Sequence, residues 1–180
     1  MFGSGEGDTR PGMRNVRGAP SLLLVVVLLL GAIAFPLLAS AEHAKVSSGS
    51  IVKVAYNKKL HKSILVNGLG LTLYMYVADV SGHATCVNDL TYHCSKAWHP
   101  LRTIGAPRAG AGAKASLLGT VKRSDGGVQV TYNRHPLYTD AGASSFALVG
   151  DKKPGQVNGQ GFADLWWVLS AKGTRITRLQ

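Results

Sequence analysis

From Ile51 onward the sequence runs as short β-forming segments cut apart by turn signals, and this pattern limits what the chain can fold into. IVKVAYN (Ile51–Asn57) alternates apolar and polar residues, as a half-buried strand does. Asn57-Lys58-Lys59 reads as a turn, SILVN (Ser63–Asn67) is the next β-rich run, and Asn67-Gly68 is a tight-turn pair. LTLYMYV (Leu71–Val77) is dense in β-formers. Further on, LLGTVKR and VQVTYN flank Ser124-Asp125-Gly126-Gly127, a hairpin signature, and DLWWVLS and TRITRL flank Lys172-Gly173 in the same way. Past residue 50 no segment sustains a long helical period, so the predicted class is all-β. GAPRAGAGAKA (Gly105–Ala115) lacks apolar anchors and reads as a flexible connector.

Ahead of these segments lies LLLVVVLLL (Leu22–Leu30), extended by GAIAFPLLASA. Arg10, Arg14 and Arg17 precede it, and Ala39-Ser40-Ala41 closes it with a small-x-small site. Basic region, apolar region and small-residue site follow the order of a secretory signal peptide. A retained N-terminal anchor competes with that reading, since about 20 apolar residues span a bilayer. Pro36 near the end of the run suits a processed segment, because proline ends or kinks a helix. Either way the segment is an apolar export helix that engages the membrane during export, and the rest of the chain is extracytoplasmic, secreted or tethered. No cysteine at the cleavage point offers a diacyl-anchor site.

The domain plan is residues 1–41 for export, 42–50 as linker, 51–104 and 117–180 as two β units, and 105–116 as the connector between them. The formal net charge is +11, and only three of 20 Lys and Arg lie in residues 1–41. An exported chain of this charge is expected to meet anionic envelope components such as lipid headgroups or wall polymers. Nucleic acid is not the expected partner, because the basic residues are scattered and the chain is exported.

The two β units resemble each other. Asn67 aligns with Asn133, Leu73-Tyr74 with Leu137-Tyr138 after a two-residue gap, and Trp98-x-x-Leu101 with Trp166-x-x-Leu169. A duplicated unit of a hairpin, a long loop and a Trp segment that packs back accounts for this. The predicted architecture is two similar hairpin-based repeats around one core. The phrases ILVNGLGLTLYMYVAD, CSKAW with a following Pro-Leu, VTYNRHPLY and GDKKPGQVNGQGFADLWWVLS resemble the family called secreted repeat of unknown function. Those are bacterial lipoprotein-like proteins with a Y-x-(F/W/Y)-x-x-D motif, matched by Tyr74, Tyr76 and Asp79. The resemblance runs from Ile51 to Gly173 and implies an envelope location, without implying a chemistry. Departures are the wide cysteine spacing, the added AGASSFALV after the Tyr138 segment, and the missing lipoprotein cysteine.

Several clusters carry potential chemistry. Tyr74 and Tyr76 share one strand face, with Leu73, Met75 and Val77 on the other. The tyrosines are expected to cover the core with hydroxyls bonded near the surface, and Asp79 to cap the turn around Ser81-Gly82. A stacking platform for a sugar or planar ligand is the functional alternative. Cys86 and Cys94, an even pair in an exported chain, predict a disulfide. His83, His93 and His99 lie close to them in sequence; with Met75 or Tyr92 they are candidate ligands for copper, zinc or haem iron, although the spacing matches no standard finger. In GDKKPGQVNGQG (Gly150–Gly161), Asp151 and Asn158 are weak calcium candidates, since calcium cages want more carboxylates. No G-x-S-x-G elbow or phosphate loop is present. The sequence therefore predicts a non-catalytic exported module that binds or builds at the cell envelope, with a metal- or haem-binding protein as the alternative.

Overall fold

A computed structural model describes residues 49–88, 93–143 and 147–177. The export segment and the start of the linker lie outside the described residues, and no described helix is long and apolar enough to cross a membrane. The described chain is almost entirely strands and turns, arranged as three small sheets. β1 (Ile51–Asn57) and β2 (Lys62–Asn67) form an antiparallel hairpin at the predicted positions. β3 (Tyr74–Tyr76) is shorter than the predicted Leu71–Val77 run. One short helix, Cys94–Ala97, leads into β4 (Trp98–Pro100).

The connector departs from expectation. Instead of hanging free, it supplies β5 (Arg108–Ala109), which pairs in parallel with β1. Its glycines allow this closeness: a Cβ on Gly112, at φ +74°, would press on Val54. Backbone donors and acceptors then hold it, with Gly110 donating to Val52 and Val54 donating to Ala111. Backbone bonding, which composition does not display, decides the matter.

β6 (Leu118–Lys122) and β7 (Val128–Tyr132) make the second predicted hairpin, and β8 (His135–Pro136) adds to β7. The central sheet has the order β10-β3-β9-β4, where β9 is Tyr138–Asp140 and β10 is Trp166–Val168. Tyr74 faces Tyr138 at its middle. β10 pairs with β3, placing Trp166 opposite Tyr76, and β4 pairs with β9, placing Trp98 opposite Asp140. Each Trp segment thus lies against the tyrosine strand from the other part of the sequence. The flanking hydrogen bonds correspond as well. Leu65 donates to Leu169 and Leu73 to Leu65, while Val130 donates to Leu101 and Leu137 to Val130.

Two apolar clusters replace the single expected core. Strand side chains alternate, so a sheet covered on both sides buries two sets of residues. One set joins Tyr74, Tyr138, Trp98, Trp166 and Val168 to Ile64, Cys86 and Val157. The other joins Leu73, Met75, Leu137 and Leu169 to Val52, Leu65, Val130 and Tyr132.

Candidate functional site

The ring-bearing face of the central sheet builds the site. Trp98 and Trp166 come from the two edge strands and stack face to face, with centroids 3.9 Å apart and planes 4° apart. Tyr76 continues the stack on Trp166 at 4.5 Å and 18°. Tyr74 meets the edge of Trp98, Tyr138 meets the edge of Trp166, and Phe162 leans toward Trp98. Stacked and edge-on geometries of this kind add about 0.5–1.5 kcal/mol per pair beyond burial. The two tryptophans are buried, whereas Tyr76 and Phe162 are half-buried and reach the surface.

Beside them opens a cleft of about 550 Å³. Tyr76, Trp98, Phe162 and Trp166 give it aromatic lining, and Cys86 and Cys94 of the disulfide line it too. Among the described residues no charged side chain lines it, and Thr85 adds a polar group. The disulfide predicted from the sequence is present. Its loop is tied down by Arg123, a buried residue that donates to the Cys86 carbonyl at 2.7 Å and to Gln129 Oε1 at 2.6 Å. Asp125 neutralises the same guanidinium through two hydrogen bonds of 2.7 Å.

Beneath the rings lie three buried carboxylates: Asp79, Asp140 and Asp151. The tyrosine hydroxyls cross over to reach two of them. Tyr74 donates to Asp151 Oδ2 at 2.7 Å, and Tyr138 donates to Asp79 Oδ2 at 2.7 Å. Both tyrosines are fully buried, so their hydroxyls do not bond near the surface as expected. The reason is that a partner carboxylate is carried inward by each neighbouring loop. Asp79 also departs from its expected role. The turn Val80–Gly82 closes through its own backbone, with His83 donating to Val80, which frees the Asp79 carboxylate. Asp79 Oδ1 instead accepts the N–H and hydroxyl of Thr85, both at 2.7 Å. Asp151 Oδ1 accepts the Asn158 N–H at 2.9 Å, so both oxygens of this calcium candidate are engaged within the protein.

Burial raises the titration of both tyrosines far above the phenol range, and Asp151 and Asp79 add to it respectively. Burial also raises Asp79 and Asp151, against the pull of the donors just named. Asp140 is pushed up to about 6 by burial, with Asp151 adding and the Gly142 N–H opposing. Its Oδ1 accepts that N–H at 2.9 Å, while its Oδ2 is buried without a hydrogen-bond partner. Gly159 separates this oxygen from Trp98; a Cβ there would collide with the indole ring. The tyrosine and aspartate pairs bond to each other inside the protein, and the cleft itself offers apolar contact and ring faces.

The metal candidates do not converge. His83, His93 and His99 are exposed; His93 Nδ1 lies 3.1 Å from Asn88 Oδ1, and His99 sits on β4 opposite Thr139. Met75 is buried in the aliphatic cluster, on the sheet face away from the disulfide, and Tyr92 lies outside the described residues. Among the described residues no three His, Cys, Asp or Glu are placed to hold a metal ion.

Residues 119–170 match the model of a family described as a secreted repeat of unknown function. This is the family whose resemblance the sequence carries. The match takes in Tyr138, Asp140, Asp151, Phe162 and Trp166, and leaves the Tyr74–Asp79 motif outside it. No curated protein and no solved structure matches the chain.

Sequence reasoning missed Arg123, Asp140, Gly159 and Phe162 as parts of the site. A signal existed for Asp151: like Asp79 it is an acid that follows a tyrosine strand, lying 13 residues after Tyr138 where Asp79 lies five after Tyr74, with the extra residues falling in an insertion within the stretch from Ala141 to Gly150. The fold closes that insertion, because Asp151 donates its N–H to the Asp140 carbonyl at 2.9 Å.

Proposed function

We propose that this chain is an exported, non-catalytic β module of the cell envelope that binds an uncharged planar or sugar-like ligand in the aromatic cleft. The carrying observation is the stacked series Tyr76–Trp166–Trp98, which opens onto a cleft of about 550 Å³ with no charged side chain among its described lining residues. That size falls within the roughly 300–1,000 Å³ of small-molecule sites, which are mostly apolar with few polar groups. The family description supports export. Two repeats built around the cleft are supported by the facing tyrosines, the stacked tryptophans and the corresponding backbone hydrogen bonds. In this reading duplication made the site: neither unit alone supplies both tryptophans of the stack.

A non-catalytic role is supported by the state of the titratable groups. The tyrosine hydroxyls and their aspartates face one another inside the protein and do not line the cleft. Binding of copper, zinc or haem through the histidines has no specific observation in its favour among the described residues.

The test is a fluorescence titration of the exported protein with uncharged planar aromatics and with neutral oligosaccharides, followed through Trp98 and Trp166. Saturable quenching or enhancement is expected with one of the two classes. Tyr76→Ala should lose that response while melting near the parent. A flat titration with both classes, or a response unchanged in Tyr76→Ala, refutes the cleft as the site.

A further inference from the structure

A second surface, remote in chemistry from the aromatic cleft, is a groove of about 670 Å³ between the β1–β2 hairpin and the Lys153–Gln156 loop. Lys53, Lys58, Lys59 and Lys153 line it, and among the described residues no Asp or Glu does. The described ion pairs of the protein, Arg102–Asp125 and Arg123–Asp125, involve none of these lysines. Lys59 lies within electrostatic reach of Asp151, whose oxygens are already taken by Tyr74 and Asn158. Lys53 donates to the Gly68 carbonyl at 2.9 Å, which positions its ammonium without neutralising it.

The walls are fixed. Asn57 accepts the Leu60 N–H within the hairpin turn and donates across to Gly155 at 3.0 Å. Thr72 donates to the Gln156 carbonyl at 2.6 Å, and Gln156 Oε1 accepts the N–H groups of Lys152 and Lys153. The lysine-bearing turn and the lysine-bearing loop are therefore held at a set separation, so the backbone positions that carry the charges are fixed. Tyr56, 63% exposed, presents its ring beside them.

We infer that this groove binds a linear polyanionic glycan, with the lysines on its acidic groups and the Tyr56 ring against a sugar face. Charge complementarity selects an anion, since every charged residue described in the lining is a lysine. Concavity and an exposed aromatic ring favour a chain laid along a groove over a flat lipid surface. Lysine ammonium groups act as point charges, suited to acidic groups spaced along a flexible chain. This site is independent of the ligand proposed for the aromatic cleft.

The test uses the exported protein and a fluorescent heparin oligosaccharide, with anisotropy measured over a salt series. Lys58→Gln/Lys59→Gln/Lys153→Gln should weaken binding by about tenfold or more at low salt and reduce the log–log salt slope by about 3, roughly one per lost contact. Lys96→Gln/Lys114→Gln/Lys122→Gln removes the same charge from exposed positions outside the groove and should bind as the parent does. Tyr56→Ala should weaken binding with the salt slope unchanged. Equal losses in the two triple variants would mean diffuse charge and overturn the assignment, as would no loss in the groove variant. Stronger lysine-dependent binding to phosphatidylglycerol vesicles than to the glycan would overturn it in favour of a membrane surface. Melting curves of each variant confirm that the fold is intact, and the cleft titration with Tyr76→Ala reads out separately.

Discussion

The two faces of the central sheet are made from the same four short strands, two of them the Trp segments, yet they differ in what they bury. One face is aliphatic: Leu73, Met75, Leu137 and Leu169 interlock with Val52, Leu65 and Val130. Its stability is a matter of packing, about 25 cal/mol for each Å² of apolar surface removed from water. The other face carries rings, and under the rings lie carboxylates. There each buried hydroxyl needs its acid and each buried acid needs its donor, so loss of one partner strands the other. On the aliphatic face Met75 and Val77 border a smaller hollow of about 390 Å³. The ring face opens at Tyr76 into the cleft, because a surface of planes and edges leaves a mouth that branched side chains would fill. The comparison teaches that the cleft proposed as a binding site lies on the face whose burial is the costlier to satisfy.

The largest effect that tests this comparison is truncation. Tyr74→Ala is expected to destabilise by about 3–5 kcal/mol and Leu73→Ala by about 2–5 kcal/mol, both read as the loss of urea midpoint. They should differ in pH dependence. Leu73→Ala should follow the parent's profile at lower stability, whereas Tyr74→Ala should change its shape, since Asp151 loses its donor. Identical profile shapes would remove the distinction between the faces.

Conservative changes sharpen it next. Tyr74→Phe keeps the ring and strands a buried carboxylate, so about 1–3 kcal/mol should be lost, more than for a hydroxyl bonded at the surface. Met75→Leu on the aliphatic face conserves volume and should cost under about 1.5 kcal/mol. The Tyr74→Phe deficit should be greatest at neutral pH and shrink in acid, as protonation neutralises Asp151. A deficit independent of pH would place Asp151 outside the hydrogen bond.

A smaller effect concerns Asp140. Its native carboxyl is raised to about 6 by burial, above the ordinary aspartate value near 4. Between those values the native state holds more protons than the unfolded chain, so stability falls as pH rises through that window. Asp79 and Asp151, also raised, act in the same direction. Asp140→Asn should therefore gain on the parent as pH climbs from about 4 to 7, the gain appearing as a rising difference in melting temperature. A difference that falls with pH would reverse the assigned sign.

The smallest expected change in stability is that of Tyr76→Ala. Tyr76 is half-buried, and its partner ring Trp166 remains packed on Trp98. Thermal melting should stay close to the parent, in contrast to Tyr74→Ala two residues away on the same sheet face. A collapse of Tyr76→Ala similar to that of Tyr74→Ala would make the whole ring face structural and deny the cleft a ligand.

The sequence by itself determined the all-β class, the β1–β2 and β6–β7 hairpins, the disulfide and the sharing of one strand face by Tyr74 and Tyr76. These are local properties: alternation has a period of two, turn residues act on their neighbours, and a cysteine pair eight positions apart closes a short loop. The tertiary structure alone decided which tyrosine meets which aspartate, that the connector docks on β1, and that the core divides between two sheet faces. It alone brought Trp98 and Trp166, far apart in the chain, into one stack. Such partnerships join distant segments through strand pairing, and their energy comes from burial and hydrogen-bond satisfaction. Neither quantity exists for a residue until the segments around it have met.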